Sequence, residues 1–190
     1  MRESLEPALP LRTPRLDLRL LGPADRAALL AYRSLPHVCR YLPFPPMDSA
    51  EIDRRLAGQW QQRRLSDGGS AMTLGIEVRE TGLLVGDVVL FVRSRADDSG
   101  EVGWVLSPEH TGHGYATEAA AALLALGFEG MGMHRVIARM DPANDASARV
   151  AARLGMRVGA RLIEKERVKG EREDTLFYAL VQREWRALHP

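Results

Sequence analysis

Cysteine is nearly absent from this 190-residue sequence, and Cys39 is its only representative. One thiol allows no intramolecular disulfide and no cysteine-based zinc cluster, and it suits a reducing compartment. The Pro-rich surroundings of Cys39 carry no nucleophile motif, so it reads as a structural thiol. Charge imbalance is missing too: 26 Lys and Arg residues meet 25 Asp and Glu residues, for a net charge of +1. No polybasic run argues for nucleic acid, and no acidic tail argues for a solvating segment. Long apolar runs are also lacking. The richest, 119–128, is too short and too alanine-rich to span a membrane. Residues 1–11 carry Glu3 and Glu6 without an apolar core, unlike a secretory signal. The expectation is a cytoplasmic protein with neither nucleic-acid nor membrane partners.

What is present is clear periodicity. Residues 1–10 read as a flexible terminus and 11–190 as a single domain. Leu16, Leu18 and Leu20 alternate with charged residues, the period of a half-buried strand. Pro23 opens a helix with Leu29 and Leu30 inward and Asp25 and Arg26 outward. Pro36, Pro43, Pro45 and Pro46 make 35–47 irregular. Asp48 and Glu51 form a capping box for a second helix, along which Ile52, Leu56 and Trp60 recur every fourth residue. Strands follow at 72–78, 83–92 and 101–106. After a Gly-rich loop come a helix (115–128), a strand (135–140), a helix (144–154) and strands at 156–163 and 175–181. This order predicts a mixed α/β (α+β) domain with about four helices. Its sheet is antiparallel first, with one strand–helix–strand crossover later.

The segment His110-Thr111-Gly112-His113-Gly114-Tyr115-Ala116 lies between a strand and a helix. Two glycines let the backbone turn sharply and let a ligand approach. The amides that follow are the unpaired donors of a helix start, where the dipole favours an anion. Ala119, Ala122, Leu123 and Leu126 give that helix one apolar face. A Walker loop would need Gly-Lys-Ser/Thr here, and a dinucleotide fingerprint would follow the first strand rather than the fourth. A plain tight turn is the alternative. His110 and His113 lack the carboxylate framework of a metal site, so no metal is expected.

The run from Thr111 to Ala116 resembles the acetyl-CoA loop of the GNAT superfamily of N-acetyltransferases, whose pattern is Gln/Arg-x-x-Gly-x-Gly/Ala. Gly114 and Ala116 match, while Thr111 departs from the Gln/Arg. Thr117-Glu118-Ala119 continues in the manner of the RimJ/RimL-type branch, the ribosomal-protein N-terminal acetyltransferases. Thr13-Pro14-Arg15-Leu16 looks like that branch's opening strand, and Gly103-Trp104-Val105-Leu106 like its strand before the loop. Asn144-Asp145-Ala146-Ser147 with Leu154-Gly155-Met156 resembles its later Asn-x-x-Ser…Leu-Gly-Phe block. The resemblance covers nearly the whole chain. It implies a GNAT fold with a mostly antiparallel sheet splayed at its centre. It also implies direct attack of a primary amine on acetyl-CoA, with no metal. The acceptor is a protein N-terminal α-amine or a small-molecule amine, and a homodimer is compatible with the family. The rival reading is a catalytically silent CoA-binding module.

By the same resemblance, Trp104, Val105, Leu106, Gly112, His113, Gly114, Tyr115, Ala116, Thr117, Asn144 and Ser147 hold acetyl-CoA, and a free amide on the 104–106 strand meets the oxyanion. Asn144 also reads as an N-cap and Gly155 as the residue that ends the helix. Ser147 shares a face with Val150, Ala151 and Leu154. A hydroxyl there either bonds back to a carbonyl one turn earlier or, as the resemblance implies, faces the sulfur and protonates the leaving thiolate. Arg149 and Arg153 are solvated or reach a phosphate. Glu166 is the base candidate by resemblance, against an ordinary surface charge, with Glu77 and Asp87 as alternatives. Tyr41, Phe44 and Trp60 are the residues expected to line the acceptor pocket, against plain core packing.

Overall fold

The computed structural model describes residues 1–66 and 68–189, with backbone alone at 166 and 168. Its strands are β1 (Leu11–Arg12), β2 (Leu16–Arg19), β3 (Ala71–Val78), β4 (Leu83–Ser94), β5 (Ser99–Leu106), β6 (Arg135–Met140), β7 (Arg157–Val168) and β8 (Glu171–Val181). Its α-helices are α1 (Arg26–Arg33), α2 (Pro36–Cys39), α3 (Ser49–Ala57), α4 (Tyr115–Ala125), α5 (Asp145–Arg153) and α6 (Gln182–Leu188). The strands form one sheet in the order β1-β2-β3-β4-β5-β6-β8-β7. Among the described residues only β5 and β6 run parallel, joined by the crossover through α4. This is the expected mixed, mostly antiparallel architecture.

Two apolar clusters follow from the alternation of side chains across the strands. Leu16 and Leu18 of β2, Leu74 of β3 and Val88 of β4 pack with Ala119, Ala120 and Leu123 of α4. Leu21, Leu29, Tyr32, Ile52, Leu56 and Trp60 form the second cluster beneath α1 and α3, against Leu84 and Val105. The alanines of α4 let its axis lie close to the sheet, and Ala116, Ala119 and Ala120 are all buried.

Several local expectations are corrected. The chain has two more helices than the four expected: α2, a single turn among the prolines, and α6, which buries Trp185 against Phe128. The helix expected to reach residue 128 leaves α geometry at Leu126, where a π-helical segment (Leu126–Met131) begins. The second helix stops at Ala57, so Trp60 lies in the following 3-10 turn. Glu51 does not complete a capping box. Asp48 caps its amide at 2.8 Å, while the Glu51 carboxylate turns to Arg54 and Arg55. Asp25, expected to face water, is buried and accepts from Arg19 and from the Gly22 amide. Apart from these corrections, the N-terminal residues touch the domain: the Met1 amine pairs with Asp98 at 2.9 Å, and Leu5 bridges to Leu65.

Candidate active site

β5 and β6 stay in register only from Ser99↔Arg135 to Glu101↔Ile137, and then they part. The Ser107 amide donates to Val85 O at 2.8 Å. By the alternation of an antiparallel ladder, Val105 then bonds toward β4, and the Trp104 and Leu106 amides point into the gap. A cleft of about 200 Å³ opens there, lined by Trp104, Val105, Asn144, Ser147, Tyr41 and Phe44 among others. Asn144 Oδ1 accepts from the Ser147 amide at 3.1 Å and so caps α5 beside the cleft. Ser147 is half-buried, and its hydroxyl has no partner among the described residues, so the back-bond is not formed.

The charged lining is internally compensated. Asp87 Oδ2 accepts from the Tyr32 phenol at 2.6 Å and from Arg33 Nε at 3.2 Å, and Arg33 Nη2 closes on Oδ1. Burial pushes the Tyr32 phenol well above its ordinary pKa, and the Asp87 charge adds to the effect. For Arg33 burial opposes the charge, but Asp87 and Tyr32 outweigh it and hold the guanidinium protonated. Glu101 bridges Arg93 and Arg139. Cys39 donates to Arg33 O at 3.2 Å, and burial pushes its thiol up, which fits a packing role. Lys169, in the β7–β8 turn, donates to the Arg40 carbonyl at 2.9 Å and also to that of Cys39. The hairpin is thereby tied to α2 near the Tyr41–Phe44 side of the cleft.

The glycine loop follows β5 through a 3-10 turn (Pro108–His110) and opens α4. Gly112 and Gly114 take φ of +84° and +80°, in the left-handed region that other residues avoid. Among the described residues, the amides of 112–117 find no hydrogen-bond acceptor, and the buried Thr117 Oγ1 has no partner. A Cβ on Gly112 would meet nothing within 4 Å, which leaves the loop open to an incoming group. His113 Nδ1 donates to Thr111 O at 2.9 Å, and its ring stacks on Tyr115. Unpaired amides at a helix start fit a diphosphate.

The structure therefore gathers Trp104, Val105, Asn144, Ser147, Tyr41 and Phe44 around one cleft, with the 112–117 loop just beyond the end of β5. Trp60 is not among them: it is 2% exposed within the second apolar cluster. Glu77 pairs with Arg19 outside the cleft, whereas Asp87 lines it. The Glu166 side chain lies outside the described residues, but its backbone is in register with Glu173, a lining residue. Arg149 and Arg153 are exposed. Arg33, at the base of the cleft, was not anticipated. Its place at the end of a short amphipathic helix gives it no motif.

A family model, the acetyltransferase (GNAT) domain, matches residues 15–157. The chain belongs to the GNAT acetyltransferase family. It is 32% identical over 179 residues to an uncharacterised N-acetyltransferase, YnaD, of Bacillus subtilis (strain 168), covering 92% of this chain and 98% of the relative. Among solved structures it resembles a GNAT-family acetyltransferase from Bacillus anthracis, with a TM-score of 0.77 and 26% identity over 90% of this chain and 98% of that one. It also shares the fold of spermidine N-acetyltransferase from Vibrio cholerae, solved with CoA and spermine. There the TM-score is 0.76 at 18% identity, covering 91% and 99% of the two chains. The protein is thus an N-acetyltransferase, and the acyl donor of its family is acetyl-CoA. The splayed strands, the capped α5 and the unpaired loop amides are compatible with that donor. No group of three or more His, Cys, Asp or Glu among the described residues is arranged to hold a metal.

Proposed function

We propose that the cleft transfers acetyl from acetyl-CoA to a primary amine by direct attack on the thioester, in the manner of the RimJ/RimL-type branch. The observation that carries this reading is the gap between β5 and β6. There, strand amides with no ladder partner meet the free Ser147 hydroxyl in one cavity. Residues 112–117 take the diphosphate, and Asn144 and the β5 edge flank the pantetheine arm. An amide of Trp104 or Leu106 stabilises the oxyanion, and Ser147 donates to the departing thiolate. Tyr41 and Phe44 form the acceptor wall.

The acceptor is a protein N-terminal α-amine or a small-molecule amine. The spermidine enzyme that shares this fold supports the small-molecule side, and the loop's RimJ/RimL-like continuation supports the peptide side. An α-amine, with a pKa of about 7.7–8.0, needs less help from a base than a lysine at about 10.4. Glu166 remains the base candidate, since it is in register with a cleft-lining residue. Asp87 is in the cleft, but both its oxygens already accept from Tyr32 and Arg33.

The deciding experiment measures thiol release from acetyl-CoA across a panel of peptides and amines. At least one acceptor should give turnover, and Glu166→Gln should lower kcat/KM for it by roughly 10²-fold. Wild-type activity in Glu166→Gln alongside lost activity in Asp87→Asn would move the base to Asp87. Acetyl-CoA binding without thiol release to any amine would remove the acceptor reading.

A further inference from the structure

The segment Thr13-Pro14-Arg15-Leu16 grips the anion loop from outside. Arg15 Nη1 donates to His113 O at 2.9 Å, and its Nε and Nη2 both reach Glu118 Oε2 at 2.7 Å. The Tyr115 ring lies 5.0 Å from the guanidinium carbon. The other Glu118 oxygen accepts from Thr13 Oγ1 at 2.6 Å and from the Arg15 amide at 2.9 Å. Partial burial would raise the Glu118 carboxyl pKa, but these donors outweigh it and lower the value. Thr13 and Arg15, next to β2, thus hold both ends of the loop's first helical turn.

The consequence is directional. In a trans peptide the carbonyl and the next amide point opposite ways. Fixing His113 O against Arg15 therefore aims the Gly114 N–H away from Arg15. His113 Nδ1 does the same two residues earlier, by holding Thr111 O and so aiming the Gly112 N–H. Charge matters as well. Glu118 stands in the first turn of α4, where an unpaired carboxylate would repel a bound anion. Arg15 removes that repulsion without occupying the loop.

We propose that Arg15 is a positioning residue for the diphosphate of acetyl-CoA, acting through His113 O and Glu118. This rests on the reading that residues 112–117 take the diphosphate. The test compares CoA with pantetheine, which lacks every phosphate, as ligands of the whole protein. CoA affinity is read by calorimetry, and pantetheine affinity by competition against bound CoA. Arg15→Met should weaken CoA about tenfold or more while leaving pantetheine unchanged, with kcat intact at saturating acetyl-CoA. Arg15→Lys keeps the charge but not the fork, and should still lose most of the discrimination. Adding Glu118→Gln to Arg15→Met should recover part of the CoA affinity, because the uncompensated carboxylate is gone. Wild-type CoA affinity in both Arg15 variants would overturn the proposal, as would an equal loss for CoA and pantetheine. A wild-type protein that binds the two ligands equally well would instead overturn the loop assignment beneath it.

Discussion

Arg33 and Asp87 form a side-on ion pair beneath the cleft, with side-chain exposures of 5% and 3%. Tyr32 completes the set by donating to the same carboxylate. The pair joins α1 to β4 at the point where the second apolar cluster meets the active site. Removing one partner leaves the other charged and buried. Asp87→Ala should therefore cost about 3–5 kcal/mol in urea unfolding, whereas Arg33→Met with Asp87→Leu should recover most of that loss. A loss below about 1 kcal/mol for Asp87→Ala would show that water reaches the pair.

Gly114 combines a left-handed backbone with a near neighbour, since a Cβ there would touch Arg15 Nη2 at 3.4 Å. Valine at this position should weaken acetyl-CoA about tenfold or more, or about 1.4 kcal/mol. Gly112→Ala is the control. It shares the positive φ but meets no neighbour within 4 Å, so it carries backbone strain of about 1–2 kcal/mol without crowding Arg15. Calorimetry on folded Gly114→Val showing wild-type affinity would remove the loop from the donor site.

Among the described residues the Ser147 hydroxyl makes no hydrogen bond, so alanine there should leave stability unchanged or slightly raised. Turnover should fall roughly tenfold, about 1.4 kcal/mol of barrier, with little change in acetyl-CoA affinity. Unchanged kcat where chemistry limits the rate would make Ser147 a lining residue only.

Acid should weaken the tie between Asp25 and Arg19. Burial opposes ionisation of Asp25, but Arg19 and the Gly22 amide overcome it and lower the carboxyl below its ordinary 3.8. A carboxyl depressed on folding stabilises above its unfolded pKa and loses that contribution as pH falls through the folded value. Wild-type melting temperature should therefore drop as pH falls below about 4, and Asp25→Asn should drop less over the same range. Parallel pH curves for the two proteins would show that Asp25 gains nothing from Arg19.

Strand and helix order was legible because the alternation of Leu16 and Leu18 and the stripe of Ile52 and Leu56 report local burial directly. The left-handed turns and the helix cap of the proposed donor site were legible because they are local too. Gly112 and Gly114 are read from backbone demand, and Asn144 from the capping demand of the Ser147 amide three residues on. Long-range pairing was not legible. Nothing at position 15 announces Glu118, because that contact is set by how α4 packs beside β2 rather than by spacing. Trp60 misled for a related reason: an aromatic on a helical stripe gives the same pattern in a core as in a pocket. α6 escaped notice because its seven residues hold only one fully buried apolar anchor, Trp185.

The Lys169 tie has a consequence for how this protein can change its choice of substrate. Apart from Arg15, everything proposed to hold the acyl donor lies in one continuous stretch between Ser99 and Arg153. The opposite wall is assembled from Tyr41–Phe44 and the 173–175 edge of β8, and the hairpin turn is stapled to α2 by a single ammonium on two carbonyls. Two short peptides, far apart in the chain, thus form a detachable cassette. Transplanting 36–44 together with 164–175 from a relative should carry over that relative's amine preference while leaving the thioester machinery in place.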